Sequence, residues 1–104
     1  MIRGTTPTIK FNIDAPTENI ENLEIYFANG DKLILEKNLS DLTISDKVVS
    51  LTLSQKDSLK LAENAFVKVQ IRILYSDGSV IASNIMECFV DEILKDGEIV
   101  GSKI

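Results

Sequence analysis

Apolar and polar residues alternate along most of this 104-residue chain. That is the period-2 pattern of strands with one face buried and one in water, not the 3.6 period of amphipathic helices. Ile9, Phe11 and Ile13 alternate with Lys10 and Asn12, and Asp14-Ala15-Pro16-Thr17-Glu18-Asn19 follows as a polar turn. Leu23, Ile25 and Phe27 continue the pattern up to Asn29-Gly30, a hairpin signal. A two-residue loop at that pair sets Ile25 against Ile34 and strands Leu33 and Leu35 on the polar face. A three-residue loop, Ala28-Asn29-Gly30 with Gly30 left-handed, instead opposes Ile25 to Leu33, Leu23 to Leu35 and Glu21 to Lys37. The longer loop is the expected one, because a one-residue slip turns a strand's apolar set outward.

Farther along, a tight turn at Asp46-Lys47 aligns Ile44 with Val49 and Leu42 with Leu51. Ser54 then reads as a helix N-cap, and Leu59 and Leu61 predict one or two helical turns crossing between sheets. The last hairpin runs from Val67 to Tyr75 and from Ser79 to Val90, around Asp77-Gly78, which favours a type I′ turn. This register pairs Tyr75 with Val80, Ile73 with Ala82, Val69 with Met86 and Val67 with Cys88, and sets Lys68 against Glu87 on the outer face. It also turns Asn84 inward opposite Ile71, where its amide needs partners.

Six to seven strands with a short helical crossover predict an all-β protein, an antiparallel β-sandwich that is immunoglobulin-like or a related meander. Antibody-type features are missing, since there is no Trp and no cysteine pair. The expected core includes Phe11, Ile25, Leu33, Leu51, Val69, Ile71, Ile73 and Met86. Residues 1–7 read as an N-terminal arm, 8–92 as the sandwich, and 93–104 as a tail or an additional edge strand.

A net charge of −5 with scattered basic residues predicts no attraction to nucleic acid or to anionic membranes. The chain has no histidine, which removes the usual base near neutral pH, the His-activated nucleophiles and the commonest metal ligand. The lone Cys88 falls on the inner face without a basic neighbour, so it reads as a structural thiol. Carboxylates at Asp14, Glu18, Glu21 and Glu24, or at Asp91, Glu92, Asp96 and Glu98, could be paired for glycoside hydrolysis, but they read as solvated loops and edges. The spacing of Asp91-Glu92 and Asp96-Gly97-Glu98 does not match a calcium loop. The expectation is no catalytic, metal-binding or cofactor-binding residue, and no enzyme. Met1 to Pro7 lacks the apolar core of a signal peptide, and no apolar run approaches a membrane span, so synthesis in the cytoplasm and solubility are expected.

What remains is surface. Ile2 and Arg3 in the arm, and Ile93, Leu94, Ile99, Val100 and Ile104 in the tail, are candidate contact residues, either with neighbouring subunits or with the domain itself. Tyr26, on the outer face, is a candidate aromatic platform. Five stretches, Met1 to Thr8, Leu51 to Gln55, Val69 to Arg72, Ile81 to Ile85 and Ile93 to Gly97, together resemble a family of small proteins encoded by phages and prophages of low-GC Gram-positive bacteria. The resemblance runs along nearly the whole chain. It implies a phage context and a virion component, and with the apolar ends it points to a structural protein that joins capsid or tail subunits, its partners being other phage structural proteins or further copies of itself. The alternative is a recognition module for a host-surface glycan or protein.

Overall fold

In a computed structural model, which describes residues 1–101, the alternation becomes strands in chain order. These are β1 (Thr8–Asn12), β2 (Ile20–Asn29), β3 (Lys32–Lys37), β4 (Leu42–Ser45) and β5 (Val48–Thr52), then helix α1 (Gln55–Leu59), then β6 (Ala65–Tyr75), β7 (Val80–Ala82) and β8 (Met86–Val90). They form two antiparallel sheets, a smaller one ordered β1-β5-β4 and a larger one ordered β3-β2-β6, with β7 and β8 pairing successive stretches of the same side of β6. Leu23, Ile25, Phe27 and the inward residues of β6 bury against Val49, Leu51 and Leu53 of the smaller sheet. This is the expected all-β sandwich. Of the expected core, Ile25, Leu51, Val69, Ile71 and Ile73 are buried, and Phe11 and Met86 lie half-buried against them.

The locally specified elements follow the sequence closely. Asp46 and Lys47 both take positive φ (47° and 64°), as a type I′ turn requires, and Ile44 pairs with Val49 and Leu42 with Leu51. The Ser54 side chain caps α1 by accepting from the Asp57 N–H at 3.1 Å, and α1 carries the chain from the smaller sheet to the larger. Val69 pairs with Met86, Lys68 with Glu87 and Val67 with Cys88.

Two registers differ from expectation, each by a bulge. At the first hairpin Asn29 pairs with Lys32 around a Gly30-Asp31 loop, and an extra residue then shifts the ladder so that Phe27 faces Leu35 and Ile25 faces Lys37. Leu33 therefore lies opposite Ala28 on the outer face, 51% exposed, and is not a core residue. The bulge restores Leu35 to the core and leaves a lysine on the inner side of an edge strand. Lys37 meets Asp57 of α1 there at 2.7 Å, which also discourages edge-to-edge pairing at β3.

At the last hairpin the loop has three residues, Ser76-Asp77-Gly78, closed by the Tyr75 N–H donating to the Ser79 carbonyl at 2.9 Å, with only Gly78 at positive φ. It is not the expected two-residue type I′ turn. In the resulting register Ile73 faces Ile81 rather than Ala82, and Ile81 stays 42% exposed at the open side of the sandwich. A bulge around Ser83 then recovers the expected pairing of β8 and splits the last strand in two. Asn84 sits on that bulge and is exposed, not turned inward.

The first residues are not an extended arm. Ile2 forms a parallel bridge with Asp91, the Met1 amino group donates to the Phe89 carbonyl at 2.8 Å, and the chain turns at Gly4 with φ +78°. Among the described residues no helix is long and apolar enough to cross a membrane.

Candidate functional site

Polar residues dominate the middle of the outward face of the larger sheet, and apolar ones flank it. Tyr26 on β2 lies between Gln70 of β6 and Glu36 of β3, a placement set by strand alternation once Ile25 and Phe27 are buried. Its hydroxyl donates to Glu24 Oε1 at 2.6 Å and accepts from Arg72 Nε at 2.7 Å. The guanidinium carbon of Arg72 stands 5.2 Å from the centroid of the Tyr26 ring, within cation–π range. Burial pushes the Tyr26 phenol above its ordinary value and the bond to Glu24 adds to this, so the group stays a neutral donor.

A shallow groove of about 490 Å³ runs beside this cluster, with Leu33 and Ala28 along it, Ile85 from the β7–β8 bulge, and Glu36, Lys68, Gln70 and Arg72 among its polar members. Leu33 and Ile85 are more than half exposed. Beyond the Lys68–Glu87 pair, Phe66 and Phe89 face each other across β6 and β8, edge to face with centroids 5.1 Å apart. Phe66 is 62% exposed. Exposed apolar side chains thus share a single sheet face with the charged pairs Lys68–Glu87 and Glu24–Arg72. Such an arrangement suits docking of another macromolecule; it contains no nucleophile paired with a base.

Compared with protein-family models and with curated proteins, the sequence matches none.

The remaining candidates separate into two groups. Arg3 is engaged within the domain, donating from Nε to the Leu61 carbonyl at 3.1 Å and pairing with Asp96, whose carboxyl it holds below the usual range. Ile2 is half exposed beside Asp91, and Ile93 packs against Gly4 and is half-buried. Leu94, Ile99 and Val100 are exposed, the last two at 81% and 83%. Ile104 lies outside the described residues. Cys88 is half-buried against the core, facing Val67. Among the described residues no three His, Cys, Asp or Glu side chains converge on a possible metal position.

Neither Leu33 nor Ile85 nor the Phe66–Phe89 pair was singled out from the sequence as a contact residue. The aromatic pair was legible there, because the register that sets Lys68 against Glu87 also sets Phe66 against Phe89 on the same ladder. Leu33 reaches the surface through a bulge, for which the alternation carries no signal, whereas Ile85 faces outward already in the register that turns Asn84 inward.

Proposed function

We propose that this chain is a non-enzymatic structural protein of a phage particle, joining capsid or tail subunits through its exposed apolar surfaces and its C-terminal segment. The observation that carries this reading is the outer face of the larger sheet, where Leu33, Ile85, Phe66 and Phe89 are exposed together on one side of a rigid scaffold. Apolar area is removed from water at about 25 cal/mol per Å² before the costs of association, so such a face favours a partner. The resemblance of five stretches to phage-encoded proteins supports the particle as its setting, and the absence of histidine supports a non-catalytic role.

The test is to purify particles made by the encoding phage, identify their proteins by mass spectrometry, and locate the chain by cryo-electron microscopy. Many ordered copies are expected. Phe66→Asp and Leu33→Asp should fold, since both sites are exposed, and should reduce incorporation. Particles without the chain would overturn the reading.

A recognition module is the second reading, and the Tyr26–Arg72–Glu24 cluster beside the groove favours it. A half-buried ring ringed by donors and acceptors is suited to a sugar. Saturable binding of the isolated domain to host cell wall, lost in Tyr26→Ala, would select it.

A further inference from the structure

We propose that the cleft between β1 and β7 is a strand-acceptor site, filled on assembly by residues 98–101 of a second copy, which add a strand to the free edge of β1. This deepens the reading of an assembling protein by naming the joint. The smaller sheet ends at β1 and the larger at β7, so the sandwich is open on this side. The opening is a cleft of about 570 Å³ whose apolar lining includes Phe11, Ile13, Ile71, Ile73, Ile81 and Met86.

The backbone specifies what fits there. The Leu53 N–H donates to the Pro7 carbonyl and the Ile13 N–H to the Lys47 carbonyl, which brackets the β1–β5 ladder at both ends in one register. Bonded pairs alternate in an antiparallel ladder, so the odd residues of β1 bond to β5. The N–H and carbonyl groups of Thr8, Lys10 and Asn12 therefore point away from β5, and none has a backbone partner among the described residues. By the same reasoning, bonds from Tyr75 to Ser79 and from Ser83 to Ile71 leave Val80 and Ala82 of β7 pointing outward. An apolar trough beside an unpaired ladder takes an extended strand with apolar side chains turned inward. The other edges are less suited, with a bulge and inward Lys37 at β3 and only four residues in β4.

The donor is on the same chain. Ile99 and Val100 lie outside both sheets and are largely exposed. Ile99 already makes a strand-like pair of bonds, but to a side chain: its N–H donates to Gln55 Oε1 at 2.8 Å and its carbonyl accepts from Gln55 Nε2 at 3.1 Å. Both bonds are exposed and exchange readily for a backbone ladder. Residues 98–101 are long enough to run along four of the five residues of β1, and Glu98 supplies a charge for Lys10. Adjacent residues of a strand face opposite ways, so a segment released from Gln55 of a second copy turns either Ile99 or Val100 into the trough. Donor and acceptor are different surfaces, so the contact propagates head to tail into rings or filaments.

Sedimentation velocity of the full chain across a wide micromolar range tests this, with two variants. Lys10→Pro removes an outward N–H without touching the β5 ladder, and truncation after Gly97 removes the donor. The full chain should associate beyond dimers, and each variant alone should do so at least about tenfold more weakly, at unchanged circular dichroism. Mixing the two should restore a one-to-one complex, because one retains the donor and the other the acceptor. A full chain that stays monomeric, association that persists in the truncated chain, or variants that fail to complement would each overturn the proposal. If Lys10→Pro fails to fold, Asn12→Pro takes its place. A monomeric chain still present in purified particles would overturn strand exchange alone and leave the structural reading standing.

Discussion

Ser83 satisfies both backbone groups of Ile71: its N–H donates to the Ile71 carbonyl at 2.8 Å, and its Oγ accepts from the Ile71 N–H at 3.0 Å. Its own carbonyl is taken by Gln70 Nε2 at 3.0 Å. A side-chain hydroxyl thus replaces one rung of the ladder where the β7 register gives way to that of β8. Ser83→Ala leaves the Ile71 N–H without that partner in the middle of a central strand and should cost about 1–3 kcal/mol. Ser83→Thr should retain most of the stability. Urea unfolding of both variants checks this, and equal midpoints would mean that the hydroxyl does not hold the bulge.

Core and surface leucines should separate sharply. Leu51, 1% exposed between the sheets, should cost about 2–5 kcal/mol as Leu51→Ala, and so should Ile71→Ala. Leu33→Ala on the outer face should lie within about 0.5 kcal/mol of the parent. A large loss for Leu33→Ala in denaturant unfolding would return that residue to the core.

Acidification should weaken the joint between β3 and α1. Burial pushes the Asp57 carboxyl up, but the hydrogen bond and charge of Lys37, with help from Ser54, outweigh it and leave the group below its ordinary value. A carboxylate depressed in the folded state stabilises above its unfolded pKa of about 4, and that contribution is lost as pH falls through the lower folded value. Asp57→Asn should therefore be less stable than the parent at neutral pH, by about 1 kcal/mol for a partly exposed pair, and the difference should shrink toward pH 2. Thermal unfolding across that range reads it directly.

Gly4 should not accept a side chain. Its φ is +78°, and a Cβ there would stand 2.8 Å from Ile93 Cδ1. Gly4→Ala should cost about 1–2 kcal/mol from the left-handed backbone alone. It should also speed hydrogen exchange at Arg3 and Asp91, whose N–H groups donate across the parallel bridge to Asp91 and Met1. Unchanged exchange would show that the N-terminal turn does not depend on this contact.

By itself the sequence determined the elements whose signals are local. Alternation specified the strands and most of their faces, Asp46-Lys47 specified the β4–β5 register, and Ser54 specified the start of α1. The Val69–Met86 pairing was also legible, since hydrophobic matching selects it over a long stretch. Tertiary structure decided what a single inserted residue can change. At Ile34 and again near Ser83 a bulge costs one rung and changes which side chain faces inward: Leu33 turns out while Leu35 stays in the core, and Ile81 rather than Ala82 faces Ile73. Whether that exchange is favourable depends on a sheet formed by residues distant in sequence, so no local pattern reports it. The same holds for Arg3 and Gly4, whose partners Leu61, Asp96 and Ile93 lie at least 58 residues away and become neighbours only when the ends of the chain meet beside β8.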